Sequence, residues 1–207
     1  MARQTIIFDF DGTIIDSVMP TYKILNIIAE DFGYKKFSMD MGLLKSKTVK
    51  QHLKDFKISP LKVPVMLKRW REELSKQIES LAPFDGVKEM LRKLKEAGFS
   101  LVILTSNSEE NVRKFLSKNE SELFDFIFSG SSLFGKHVLL KKILKKYDLA
   151  MKDTIYVGDE TRDVDAAKKI GMKVVAVSWG FESKNLIEQS KPDFLVETPE
   201  ELVTALQ

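Results

Sequence analysis

The chain has 207 residues, 43% of them hydrophobic, which is enough to bury a full core in one domain or in one domain carrying an insertion. It contains no cysteine, which excludes disulfides, thiolate metal sites and a cysteine nucleophile, and its two histidines leave little room for a zinc site or a histidine-centred triad. Catalysis must therefore rest mainly on carboxylates, hydroxyls and lysines, and a formal net charge of +3 gives no strong argument for nucleic acid.

Residues 5–8 (TIIF) form a β-branched and aromatic run that ends at Asp9, as a buried strand entering a polar turn does. From 17 to about 82 the sequence is lysine-rich and helical in pattern, with apolar periodicity over 22–32, 49–56 and 65–74 and no convincing strand. It reads as a helical unit inserted after the first strand, which divides the chain into a core of residues 1–16 and 83–207 and an insertion of residues 17–82. The dense lysines between 45 and 76 read first as a solvated helix face. Beyond Pro83, strand-like runs over 100–104, 126–128, 154–157 and 173–177 alternate with helical patterns over 87–97, 109–118, 137–147 and 164–170. An edge strand over 194–196 and a short closing helix follow. Continuous apolar strands alternating with helices predict an α/β fold with a parallel sheet covered on both faces. Ligands in such folds bind outside the carboxyl ends of the strands, where Asp9, Thr105, Ser129 and Asp159 stand. No apolar stretch is long enough to span a bilayer and no signal-peptide pattern precedes Thr5, so the expected location is cytoplasmic.

The strongest chemical signal is Asp9-Phe10-Asp11-Gly12-Thr13. Alternate residues of an extended chain point the same way, so both carboxylates can converge on one site, and Gly12 permits the sharp departure that follows. Asp9 suits a nucleophile that forms an acyl-phosphate, and Asp11 suits the acid and base that serves the leaving group and then the water. Plain turn residues are the competing reading. A second signal, Gly158-Asp159-Glu160-Thr161-Arg162-Asp163, brings more carboxylates to the same edge. Mg²⁺ relieves the repulsion of such a cluster, with Asp159 as a ligand, Asp163 ligating directly or through water, and Asp9 sharing the ion. A helix start favoured by its dipole competes here and suffices for Glu160.

Thr105-Ser106-Asn107-Ser108 supplies hydroxyl and backbone donors for a phosphate, with Thr105 at the strand end. Ser106 with Glu109 also reads as a capping box. Gly12, Thr13, Ser106 and Asn107 are read as substrate-binding, and Lys136 as the cation that neutralises phosphate and nucleophile. Lys141 and Lys142 read as surface charges, and His52 and His137 as packing or surface residues.

Together these residues resemble the haloacid dehalogenase superfamily, in its subfamily with a helical cap after the first motif. The resemblance covers essentially the whole chain and rests on DFDGT, the Thr105 site, Lys136 and GDETRD in that order. Its nearest likeness is to phosphoglycolate phosphatases, whose DGTxxDS and VGDxxxDxxAAxxxGM stretches appear as DGTIIDS and VGDETRDVDAAKKIGM. The resemblance implies a doubly wound parallel sheet, Mg²⁺ dependence, a coordinating main-chain carbonyl at Asp11, and a mobile lid hinged near Asp16 and Ser17. The third motif departs from the relatives' Lys-Pro pattern, since Lys136 stands between Gly135 and His137.

The expected activity is hydrolysis of a small phosphate monoester, with a small-molecule phosphate ester as partner and neither nucleic acid nor membrane. A sugar-phosphate mutase would use the same apparatus, and an inactive regulatory member is a third reading. A dehalogenase would leave Asp11 without a task, and a receiver-like domain is much shorter and lacks the insertion.

Overall fold

The computed structural model describes residues 4–119, 121–130 and 135–207. Six strands form one parallel sheet: β1 (Thr5–Phe8), β2 (Ser100–Thr105), β3 (Phe126–Ser129), β4 (Thr154–Gly158), β5 (Lys173–Val177) and β6 (Phe194–Val196), in the order β3-β2-β1-β4-β5-β6. Ile7 stands opposite Val102 on one side and Tyr156 on the other, which fixes the register around the central strand.

Strand residues alternate between two cores. Ile6 and Phe8 join Leu101, Ile103 and Val157 under α6 (Val87–Glu96) and α7 (Glu109–Leu116), with α11 (Pro199–Leu206) on the same side. Ile7, Val102, Leu104 and Tyr156 face the other way, under α8 (Lys136–Lys146), α9 (Thr161–Ile170) and α10 (Lys184–Glu188). Burial on both faces is why the strands read as continuous apolar runs. Each large side chain so buried contributes about 1.5–3 kcal/mol.

Between β1 and β2, the regular elements of residues 17–82 are all helical: α1 (Val18–Ile27), α2 (Ala29–Phe32), α3 (Met41–Lys45), α4 (Val49–Asp55) and α5 (Val63–Ser75), with single 3₁₀ turns. Tyr22, Phe37, Ile58 and Met66 give this segment a core of its own, while Trp70 and Leu74 of α5 pack into the first sheet core. The segment leaves and rejoins the sheet at one place. Asp16 N–H donates to Ala82 O at 3.0 Å and Phe84 N–H to Ile14 O at 3.1 Å, so its two connections run side by side.

Two expectations need correction. The single helix read over 22–32 starts earlier and is broken at Ile28, beyond which α2 is stopped by Gly33 in a left-handed conformation. Helices α3 and α10 carried no signal, because five residues are too few to show a period. Among the described residues no helix is long and apolar enough to cross a membrane.

Candidate active site

The chain runs outward from β1 through β2 to β3, then returns beside β1 to build β4, β5 and β6. Strand order therefore reverses at β1, and the crevice at that point opens outside the carboxyl ends of β1, β2 and β4. Asp9, Thr105 and Asp159 stand at those ends. Asp9 still belongs to the ladder, donating its N–H to Val157 O at 2.8 Å, so its carboxylate is held by the sheet and not by a loop.

Asp9, Asp159 and Asp163 are buried, and a carboxylate oxygen from each lies within 4.8 Å of the other two. Lys136, at the first position of α8, reaches into this group, with Nζ 2.6 Å from Asp9 Oδ2 and 2.5 Å from Asp163 Oδ1. The ring of Tyr156 lies beneath the ammonium, 5.3 Å from Nζ, and its hydroxyl donates to Asp163 Oδ1 at 3.3 Å. The remaining oxygens are also held. Asp9 Oδ1 accepts from Phe10 N–H at 2.8 Å, Asp159 accepts from Thr13 Oγ1 at 2.9 Å and Phe181 N–H at 2.6 Å, and Asp163 Oδ2 accepts from Glu160 N–H at 3.2 Å.

Burial pushes Asp9 above the usual carboxylate range against the pull of Lys136, and burial with Glu160 does the same to Asp159. Burial opposes the charge on Lys136, but Asp163 and Asp9 outweigh it and hold the ammonium above its ordinary range. Three buried carboxylates around one ammonium leave an excess of negative charge, and the oxygen-only donor set suits a hard divalent cation.

Asp11 stands apart from that cluster. Its carboxylate accepts from Ser17 Oγ at 3.0 Å and from Asn107 Nδ2 at 3.1 Å. Burial and then the Asp9 charge push it up to about 7, against those two hydrogen bonds. A carboxyl poised there can give and take a proton near neutrality.

The expected phosphate loop is more ordered within itself than its sequence suggested. Asn107 N–H donates to Thr105 Oγ1 at 2.9 Å, and Ser108 N–H to Asn107 Oδ1 at 2.8 Å. This turn moves the helix start along the chain, so Ser108, accepting from Asn111 N–H, caps α7 in place of Ser106. The side chains of Thr13 and Asn107, expected at the substrate, are buried and engaged with Asp159 and Asp11. Ser106 lines the open cavity, and its carbonyl accepts from the guanidinium of Arg71 on α5. Glu160, read as a helix-dipole residue, is 2% exposed and paired with Arg162.

Several neighbours went unread in the sequence. Arg71 and Lys45 lie in the lysine-rich segment whose charges were assigned to solvent, yet Lys45 Nζ donates to Trp179 O at 3.3 Å. Glu182 is buried, accepts from Thr161 N–H at 2.7 Å at the start of α9, and is pushed up to about 7 by burial and Glu160. The aromatic and glycine cluster of residues 178–181 (SWGF) after β5, which carries the Trp179 carbonyl and immediately precedes Glu182, was the signal that could have drawn attention to this side of the site; Arg71 had none.

Gly12 has a φ of +81°, and a Cβ built there would lie 2.3 Å from Asp159 Oδ2. Gly12→Ala is therefore expected to destabilise the protein by about 1–3 kcal/mol, read as a lowered midpoint in thermal unfolding. An unchanged midpoint would mean that the turn does not hold this approach in solution.

The sequence model of the haloacid dehalogenase-like hydrolases matches residues 6–177. A phosphoglycolate phosphatase of Synechococcus elongatus is 35% identical over 205 residues, covering 98% of this chain and 97% of that protein. The pyrophosphatase PpaX of Bacillus cereus is 26% identical over 219 residues, covering 100% and 97%. Among solved structures, that of a predicted phosphatase from Clostridium acetobutylicum superimposes with a TM-score of 0.84 at 22% identity, covering 99% of each chain.

Proposed function

The chain belongs to the haloacid dehalogenase-like hydrolase family, and on that premise we propose that it is a Mg²⁺-dependent phosphatase, like phosphoglycolate phosphatases, that hydrolyses a phosphate monoester through an aspartyl-phosphate at Asp9. The observation that carries this reading is the division between the two aspartates. Asp9 is held against Lys136 within the carboxylate cluster, while Asp11 stands outside it, poised near neutrality.

A carboxylate oxygen of Asp9 attacks phosphorus as the bond to the leaving oxygen breaks, and Asp11 gives that oxygen its proton. Asp11 then takes a proton from water, whose oxygen attacks the aspartyl-phosphate, breaking the acyl-phosphate bond and restoring Asp9. Thr105, Ser106 and Lys136 hold the phosphate oxygens, with Gly12, Thr13 and Asn107 shaping the turns that carry them. Asp9, Asp159 and Asp163, with the Asp11 carbonyl, would hold Mg²⁺, which would supply positive charge to offset that of the carboxylates and the phosphate. Residues 17–82 act as a cap over this site, and residues 1–16 and 83–207 as the core. The adjacent connections at Asp16 and Ala82 support that division, as do the cap's contacts with the Ser106 and Trp179 carbonyls.

The relatives named for phosphoglycolate and for pyrophosphate put both compounds into the decisive assay, phosphate release from a panel of esters with and without Mg²⁺. Release that a chelator abolishes is expected. The proposal fails if no ester of the panel releases phosphate in a Mg²⁺-dependent way. Asp11→Asn is expected to lower kcat/KM for alkyl phosphates by about 10²–10⁴. The loss should be smaller for 4-nitrophenyl phosphate, whose leaving group departs without a proton. Equal losses on both would remove Asp11 from the leaving-group step.

A further inference from the structure

A cavity of about 770 Å³ opens on Asp9, Asp11 and Lys136 and extends into the helical segment. Among the described residues, the part of its wall that comes from this segment contains no Lys, Arg, Asp or Glu. The segment is not poor in charge, since residues 17–82 hold eleven lysines and two arginines. Its charge is turned outward or onto backbone carbonyls, and the face presented to the cavity is built from Tyr22, Leu25, Leu53, Met66, Leu67 and Trp70.

The hydroxyls on this wall are neutral and already partnered, while the Nδ1 of His52 is buried without a hydrogen-bond partner. Thr21 Oγ1 accepts from Trp70 Nε1 at 3.3 Å, and Tyr22 Oη lies 3.3 Å from His52 Nε2. The cations that line the cavity, Lys136, Arg162 and Lys169, all belong to the core, and Lys169 stands in the last turn of α9, away from the carboxylates. Lys136 is bound to Asp9 and Asp163, and Arg162 to Glu160. Positive charge in the cavity therefore comes from the core side alone, and the wall formed by the helical segment offers none.

Sites for drug-sized ligands occupy about 300–1,000 Å³. A two-carbon alcohol would leave most of this space to water against apolar side chains. A carboxylate packed on the wall of the helical segment would lose hydration without gaining a counter-ion from that wall. We propose that the alcohol part of the preferred substrate is uncharged and largely apolar, of about the bulk of an aromatic ring on a short chain. The inference rests on the phosphatase reading and adds the substrate class to it.

The test compares 2-phenylethyl phosphate with ethyl phosphate and 2-phosphoglycolate on the full chain with Mg²⁺, because all three leave as alkoxides and no activated leaving group favours one of them. The kcat/KM for the phenylethyl ester is expected to exceed both others by at least about tenfold, the effect of burying a ring against an apolar wall. Leu67→Arg, which puts a cation on the partly buried wall, should narrow or reverse the preference between phenylethyl phosphate and phosphoglycolate. Equilibrium titration of the same three esters into Asp9→Asn with Mg²⁺ gives the ranking without turnover. Tightest binding of the phenylethyl ester supports the inference, and binding equal to or weaker than phosphoglycolate overturns it. The phosphatase reading falls on a different result, the absence of phosphate release from every ester by the unmodified chain.

Discussion

Asp9→Asn is expected to lower kcat for every ester by at least about four orders of magnitude, as loss of a nucleophile does in other covalent enzymes. The substitution keeps the size of the side chain, so the sheet that holds it should be undisturbed. It keeps one contact and changes the other. The amide oxygen can still accept from Phe10 N–H, where Asp9 Oδ1 does so at 2.8 Å. The amide NH₂ then faces the Lys136 ammonium, donor against donor, in place of the 2.6 Å ion pair. Acid quench of the unmodified chain during turnover should trap a phosphorylated protein, and the variant should show none. Residual turnover within tenfold of the unmodified chain, or a trapped phosphoryl group in the variant, would move the nucleophile to another residue.

The strands were legible because burial on both faces writes itself as unbroken apolar runs, and all six strands lie on the segments read from the sequence. The carboxylates were legible because Asp9 and Asp159 each stand one position past a strand. Asp11 sits two residues beyond Asp9, and Asp163 four beyond Asp159, spacings that strand and helix geometry convert into position. Most of what the sequence hid has one physical cause, that a charged side chain does not announce which way it faces. Arg71 and Lys45 belong to a lysine-rich stretch in which most charges do face water, and nothing local marks these two as binding the Ser106 and Trp179 carbonyls. Glu160 is the same case from the acidic side. Its first-turn position was sufficient explanation until the structure buried it against Arg162. Ser106 was misread as a cap because the capping pattern cannot see the Asn107 turn, whose hydrogen bonds to Thr105 and Ser108 move the helix start by two residues.

Lys136→Met is expected to separate catalysis from stability at this site. The lysine side chain is 12% exposed, and its two partners are 6% and 0% exposed, so this is a buried ionic group and not a surface bridge. Removing one partner of such a group leaves uncompensated charge and costs about 3–5 kcal/mol. For a chain of this length each kcal/mol lowers the unfolding midpoint by about 2–4 °C, which makes the loss easy to read. The raised pKa of Lys136 gives the sign of the pH dependence. A cation whose folded pKa lies above its ordinary 10.5 stabilises fully below that value and loses its contribution as pH rises through the folded pKa. The variant's deficit should therefore persist across neutral pH and close in strong alkali. It should also narrow in acid, as Asp9, already pushed up by burial, takes up a proton and no longer needs a partner. Mg²⁺ should restore much of the lost stability, because the cation supplies the charge that the lysine did. It should not restore activity, where kcat/KM is expected to stay down by about 10²–10³ for want of a donor on the phosphate. A variant that unfolds at the same temperature with and without Mg²⁺ would refute the charge-balancing role. Full activity restored by Mg²⁺ would refute the catalytic one.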